Sequence, residues 1–191
     1  MVVGSSPAWS TINGFDMNNI HVYDDLFSFE ERTRFYRFIT RSFYKINGFD
    51  TDTSSSHNQI FASFNNDDLN KFGICNTEAF KKLDIIHSLS KRTIKQIRVN
   101  CSTPTEECNF HTDEIKGGVT FLYYVNLNWR PEWLGYTIFG SDNLKEVIHT
   151  SFYVPGRVII FDGSIPHMVI PPSVYARGHR LTFAIQYTPL P

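Results

Sequence analysis

The sequence predicts a mainly β fold with flanking helices, of the jelly-roll kind. Three observations carry this expectation. From residue 93 onward the chain breaks into short runs: TIKQIRVNCS, GGVTFLYYVNL, GYTIF, KEVIHTSFYV, RVIIF, HMVI and RLTFAIQY. They are rich in β-branched and aromatic residues and separated by Gly, Pro, Asn or Asp, the texture of a sandwich or jelly roll. Aromatic residues make up 15% of the chain, with 17 Phe and 9 Tyr, and pleated surfaces accommodate them well. This half shows no alternation of strands with helical patterns, which counts against a doubly wound parallel sheet.

The elements follow in order. Residues 1–19 are polar and rich in Gly, Asn and Ser, and read as a loose lead-in. A strand is expected at Ile20–Tyr23. Ser28 and Glu31 then form the Ser-x-x-Glu signature of a capped helix start, and Phe35, Phe38, Ile39 and Phe43 recur at helical spacing behind it. Residues 51–58, TDTSSSHN, read as a polar loop. A second helix is expected from a cap at Asn76, with Phe80, Leu83 and Ile86 on its buried side. Two helices packed on a sandwich of about eight strands complete the picture. At 191 residues the chain suits one domain, with a helical part over about 20–92 and a jelly-roll core over about 93–188.

Composition narrows the function classes. Formal net charge is −1 with no long basic run, so nucleic acid as the main partner lacks an electrostatic footprint. The three cysteines, Cys75, Cys101 and Cys108, show no CxxC spacing, which fits idle thiols in a reducing compartment better than a disulfide framework or a zinc ribbon. MVVGSSPAWSTING lacks the basic start and apolar core of a signal peptide, and no apolar run approaches the ~18–20 residues of a membrane span. A cytoplasmic location without membrane contact is the expectation. Oligomeric state is not encoded in any feature we recognise.

The candidate chemistry lies in two places. FHTDEIKGG contains His111-x-Asp113, and SIPHMVIPP supplies His167. Two imidazoles and a carboxylate can occupy one face of an octahedral metal and leave three positions open, a donor set suited to iron(II) and O₂. Residues two apart on an extended segment point the same way, so His111 and Asp113 can face inward together. His-x-Asp alone is a weak signal; the order around it adds weight. His167 follows the strand RVIIF and the turn DGSIP, and a basic residue then enters a final strand. An enclosed arginine is what a dicarboxylate cosubstrate requires. Arg177 and Arg180 compete for that role. Arg177 precedes Gly178 in a turn, whereas Arg180 opens RLTFAIQY, on which Arg180, Thr182, Ala184 and Gln186 share one face. Alternation of Thr120, Leu122 and Tyr124 should bring Tyr124 to the same cavity.

From about Ile97 to Tyr187 the chain resembles the 2-oxoglutarate/iron(II) oxygenases, in their prolyl-4-hydroxylase-like branch. FLYYVNLNWRPEW stands where that family has a strand ending in a Tyr-Leu-Asn-like triplet and a Trp-containing turn. Leu134-Gly135-Tyr136-Thr137 stands at its Gly-Gly and short strand, with the first glycine missing. RVIIF, His167 and Arg180 then match the family's order. The resemblance implies a double-stranded β-helix, iron(II) held by His111, Asp113 and His167, and 2-oxoglutarate bound by Arg180 and Tyr124, beside Thr182. It further implies O₂ as co-reactant, ascorbate as a candidate accessory, and hydroxylation of a C–H bond, with peptidyl proline as the family's suggestion. Two departures bear on this: His167 and Arg180 are 13 residues apart, a few more than usual, and CSTPTEECNF lacks the Tyr-x-x-Gly pattern common in protein prolyl hydroxylases.

Other readings stay open. A free amino acid or other small metabolite is the alternative substrate. A nucleic-acid demethylase of the same fold would use the same triad, against the neutral charge. A zinc hydrolase would have no need of an inward Arg and Tyr, and a non-catalytic metal-binding module no reason to gather all five groups. His21, His57, His87, His149 and His179 read as structural or surface histidines. Glu106 and Glu107 read as solvated, and Trp129 and Trp133 serve equally as an entrance lining or as packing under a loop.

Overall fold

A computed structural model describes residues 15–17, 19–46, 60–106, 108–113 and 117–190. The expected lead-in up to residue 14, the polar loop 51–58, His57 and Glu107 lie outside the described residues. The elements in chain order are β1 (Phe15–Met17), β2 (Ile20–Tyr23), α1 (Phe29–Thr40), β3 (Lys45–Ile46), β4 (Ile60–Ser63), α2 (Asn66–Phe72) and α3 (Glu78–His87). Then follow β5 (Ile94–Ser102), β6 (Val119–Tyr124), β7 (Thr137–Gly140), β8 (Val147–Ser151), β9 (Val158–Asp162), β10 (His167–Val169) and β11 (Arg180–Tyr187). Eight strands form one sheet in the order β1-β2-β9-β6-β11-β5-β4-β3, and three form another in the order β10-β7-β8. Every pairing is antiparallel. This is the expected jelly roll, with N-terminal strands added to the larger sheet. Among the described residues no helix is long and apolar enough to cross a membrane.

Each strand of the large sheet sorts its residues by parity. Phe121, Tyr123 and Val125 on or just beyond β6, and Leu181, Phe183, Ile185 and Tyr187 on β11, enter the main apolar cluster with Phe35, Ile39, Phe72 and Leu83 of the helices. Phe72 and Phe183 meet at 4.6 Å between ring centroids. The opposite faces meet between the sheets, where Leu122, Tyr124, Phe139, Ile159 and Phe161 form a smaller cluster.

The helix boundaries refine the sequence reading. The Ser28–Glu31 box forms as expected, with the Glu31 amide donating to Ser28 Oγ and the Ser28 amide donating to Glu31 Oε2. Phe35 and Ile39 are buried, but α1 ends at Thr40, so Phe43 lies beyond it and is exposed. The cap of α3 is Thr77, not Asn76: Asn76 closes a 3-10 turn from Ile74, which delays the helix by one residue. Its inward stripe runs through Ala79, Phe80, Leu83 and His87, which leaves Ile86 exposed. A further helix, α2, carries its own capping box of Asn65 and Asp68. NDDLNKF has only two apolar positions, Leu69 and Phe72, too few to register as a period. β1 replaces part of the expected lead-in, because Phe15–Met17 pairs with Ile20–Val22.

Candidate metal centre

His111 lies outside the regular strands, but its backbone forms an antiparallel bridge with His167 at the start of β10. Its amide donates to the His167 carbonyl at 3.0 Å, and the reverse bond is 2.8 Å. The Asp113 amide donates to the Gly163 carbonyl at 2.8 Å, in the turn before β10. These three bonds bring the residues of an extended triplet against the end of a distant strand. One donor atom from each of His111, Asp113 and His167 lies within 4.8 Å of the others. Asp113 and His167 are buried and His111 is half-buried.

The surroundings orient each donor. His111 Nδ1 faces the Asn109 carbonyl at 3.1 Å, and His167 Nδ1 faces the Ile165 carbonyl at 2.9 Å. A carbonyl only accepts, so in each ring Nδ1 carries the proton and Nε2 presents its lone pair. That is the arrangement by which metal-binding histidines are held in tautomer and orientation. Gln186 Nε2 donates to Asp113 Oδ1 at 2.6 Å, and the Thr120 hydroxyl donates to Oδ2. Both donors stand on inward faces of β11 and β6. Each leaves its oxygen further acceptor capacity, so the carboxylate is fixed yet still able to ligate. Lys95 Nζ donates to the Asp113 carbonyl at 3.2 Å. Two imidazole nitrogens and a carboxylate oxygen, aimed together and independently held, fit a divalent metal with open positions.

A cavity of about 370 Å³ contains the triad and runs toward β11 and β5. At its base is Arg180, 1% exposed. Nε donates to the Gly135 carbonyl at 2.8 Å and Nη2 to Thr137 Oγ1 at 3.0 Å, while Thr182 Oγ1 is 3.5 Å from Nη1. The guanidinium carbon lies 5.4 Å from the ring centroids of both Tyr124 and Tyr153, which stack on each other at 4.4 Å. Among the described residues no carboxylate pairs with Arg180. A buried cation without a counterion is costly, so this pocket favours an anionic ligand.

The expected residues are thus brought together with one difference of position. Thr182 and Arg180 line the cavity, but Tyr124 is fully buried behind them, and its hydroxyl donates to Thr137 Oγ1 at 2.7 Å. Arg177 and His179 are exposed. Glu106 was expected in solvent; it is half-buried and lines the cavity together with Cys108 and Asn109. Trp129 packs on Tyr153 at 4.7 Å, and neither it nor Trp133 lines the cavity.

Several contributors escaped the sequence reading. Thr137 and Tyr153 belong to strands or loops remote in sequence from Arg180. Tyr153 donates to the Leu181 carbonyl at 2.5 Å and accepts from the Asn126 amide at 3.1 Å, and burial pushes its phenol pKa up. Gln186 and Thr120 were legible only as members of inward faces. The backbone at Leu134-Gly135 has a physical logic of its own. Gly135 has φ +79, and a Cβ there would come within 3.2 Å of Trp129 and 3.3 Å of Arg180. Leu134 takes φ 58 and ψ −134, a conformation that favours glycine, at the position where the sequence resemblance expects one.

No family model and no curated protein matches the sequence. Solved structures do match. A Trichoplax adhaerens prolyl hydroxylase, in complex with a hypoxia inducible factor oxygen degradation domain peptide, superposes with a TM-score of 0.67 at 16% identity, covering 90% of this chain and 84% of that one. A Pseudomonas putida prolyl-4-hydroxylase gives 0.66 at 12%, covering 90% and 92%. HygX from Streptomyces hygroscopicus, with nickel and 2-oxoglutarate bound, gives 0.60 at 13%, covering 90% and 83%. The chain shares the fold of these proteins over nearly its whole length.

Proposed function

We propose that the protein is a 2-oxoglutarate- and iron(II)-dependent dioxygenase that hydroxylates a C–H bond. The single observation that carries this reading is the pairing, in one cavity, of an oriented His111–Asp113–His167 donor set with a buried Arg180 that has no carboxylate partner among the described residues. A zinc hydrolase accounts for the first feature and not the second. The fold shared with prolyl hydroxylases and with HygX, solved with nickel and 2-oxoglutarate, supports the same reading.

In this reading His111 Nε2, His167 Nε2 and one oxygen of Asp113 hold the metal. The iron, with 2-oxoglutarate and O₂, supplies oxidation of a C–H bond to C–OH with release of succinate and CO₂. The chain's own residues do the rest. Asn109 and Ile165 carbonyls keep both imidazoles in the ligating tautomer, while Gln186 and Thr120 hold the carboxylate. Arg180 binds the far carboxylate of 2-oxoglutarate, with Thr137 and Thr182 beside it. Tyr124 acts from behind, by holding the Thr137 hydroxyl and offering its ring face to the guanidinium. With a carboxylate at Asp113 as a donor, a metal held there would favour hydroxylation over halogenation. Peptidyl proline as substrate rests on the sequence resemblance alone.

The test is metal analysis of protein purified without added iron, followed by anaerobic titration with iron(II) and 2-oxoglutarate. One iron per chain and iron-dependent succinate formation are expected. Zinc retained through purification, with no succinate released under any condition, would overturn the reading.

A further inference from the structure

The helix side of the large sheet carries a second concave surface. An open groove of about 460 Å³ runs between α1 and the segment joining β4 to α2. Its floor is aromatic: Phe38 meets Phe64 at 5.7 Å between ring centroids, and Phe64 rests on Phe183 at 6.0 Å. Phe183 is opposite in parity to Thr182 and Ala184, so the groove and the metal cavity lie on opposite faces of the sheet. Phe43, also in the lining, is 96% exposed. Its ring is apolar surface that a partner can bury.

The rim is cationic. Arg34, Arg37 and Arg41 stand at i, i+3 and i+7 along one stripe of α1 and its C-cap; all three are exposed and line the groove. Like charges at such spacings repel and cost helix stability. The dipole at the helix C-terminus accounts for Arg37 and Arg41 but not for Arg34, which lies a turn earlier. None of the three has a carboxylate partner among the described residues. The Arg34 guanidinium carbon lies 5.2 Å from the Phe35 ring centroid, a contact that uses no N–H. Asp68, the acid among the described lining residues, belongs to the capping box of α2, where its Oδ2 accepts from the Asn65 amide at 3.1 Å.

We propose that this groove docks an acidic segment of a partner polypeptide. Its carboxylates pair with the arginine row, and an aromatic or aliphatic side chain rests on Phe38, Phe43 and Phe64. The row spans about 10 Å of helix axis, the length of about three residues of extended chain. Guanidinium forks match carboxylates in that setting. A nucleic-acid strand fits the patch less well. The chain's formal net charge is −1, and a backbone charged at every nucleotide would be carried past Asp67 and Asp68 at the start of α2. The groove lies behind the metal cavity, so this inference does not depend on the dioxygenase reading.

The test uses the full chain and a displayed library of random peptides. Selected peptides should be enriched in Asp and Glu around an aromatic or aliphatic residue. One of them, labelled with a fluorophore, is then titrated beside its Asn/Gln counterpart and a labelled single-stranded oligonucleotide. The acidic peptide should bind about tenfold tighter than either, and more weakly as salt rises. Joint replacement Arg34→Glu and Arg37→Glu should weaken it about tenfold or more, and the Lys pair at the same positions should keep part of the affinity. Phe43→Ser should weaken it about threefold with its salt dependence unchanged. These positions are exposed, so cooperative unfolding and succinate release without a partner should match the parent. Selection of no binder, selected peptides without acidic enrichment, or unchanged affinity in the arginine variant would overturn the proposal. So would the neutral peptide or the oligonucleotide binding as tightly as the acidic peptide. Self-association of the chain that the same arginine substitutions abolish would also overturn it, because a second copy would then be the occupant.

Discussion

The two faces of β11 divide the molecule's work. Leu181, Phe183, Ile185 and Tyr187 are buried among helix side chains. Arg180, Thr182, Ala184 and Gln186, the residues between them, line the cavity. One eight-residue strand thus contributes equally to an aromatic core and to a polar site, and β6 repeats the division with Phe121 and Tyr123 against Thr120. The faces differ in what fixes their side chains. On the helix side, ring packing does so, as between Phe72 and Phe183. On the cavity side, directed hydrogen bonds do so, and they hold charge or lone pairs ready for a ligand. Substitutions on the two faces should therefore fail in different ways.

The largest effects should come from one residue on each side. His167→Ala removes a metal donor whose ring also packs on Phe161 at 4.8 Å. It should abolish iron-dependent succinate release while thermal unfolding stays cooperative and within a few degrees of the parent. Phe183→Ala, at a fully buried position, should cost about 3–5 kcal/mol, roughly 10 °C in Tm for a chain of this size. Its activity per folded molecule at low temperature should remain. Calorimetry and succinate assays on both variants check the division; an active His167→Ala or an inactive but fully stable Phe183→Ala would break it.

A smaller effect separates Arg180 from Arg177. A charge-assisted bidentate pair contributes roughly 1.5–3 kcal/mol. Arg180→Ala should raise the 2-oxoglutarate requirement by about one to two decades, with iron still bound. Arg177 is exposed in the preceding turn, and its replacement by Ala should change the requirement less than about twofold. The opposite ranking in cosubstrate titrations would move the anion site off β11.

The legibility of the two faces differed for a physical reason. Alternation along RLTFAIQY and VTFLYY is local, so the core face and the inward face could both be read from the chain, and the geometry keeps that sorting. The bridge between His111 and His167 is non-local, but the chemistry of the donor set points to it. What could not be read was the support between remote segments. Tyr153 reaches Asn126 and Leu181, and the Gly135 carbonyl reaches Arg180, across separations that no periodicity encodes. Tyr124 shows the limit of parity alone. Alternation gives the correct face, but Thr137 on β7 stands between its hydroxyl and the cavity. The error at Asn76 was of another kind: two capping residues stood side by side, and a 3-10 turn decided between them.

The smallest effect concerns acid, and it again distinguishes the helix side from the cavity side. His87, at the end of α3, lies with Nε2 2.7 Å from the Tyr23 hydroxyl and its ring 4.8 Å from that of His21. Burial, with the nearby charges of His21 and Arg92, lowers its pKa from 6.5 to about 4. The folded state therefore resists a proton that the unfolded chain accepts at higher pH. Stability from this group is full above pH 6.5 and declines as pH falls toward 4, because over that interval the unfolded chain binds more protons. The ring is only half-buried, so solvent screening reduces the effect to roughly 1–2 kcal/mol. His87→Gln keeps a polar partner for Tyr23 and cannot titrate. Unfolding free energies from urea titrations at pH 7 and pH 4.5 should differ more for the parent than for this variant, by about that amount. An equal pH dependence in the two proteins would place the acid sensitivity elsewhere than at His87.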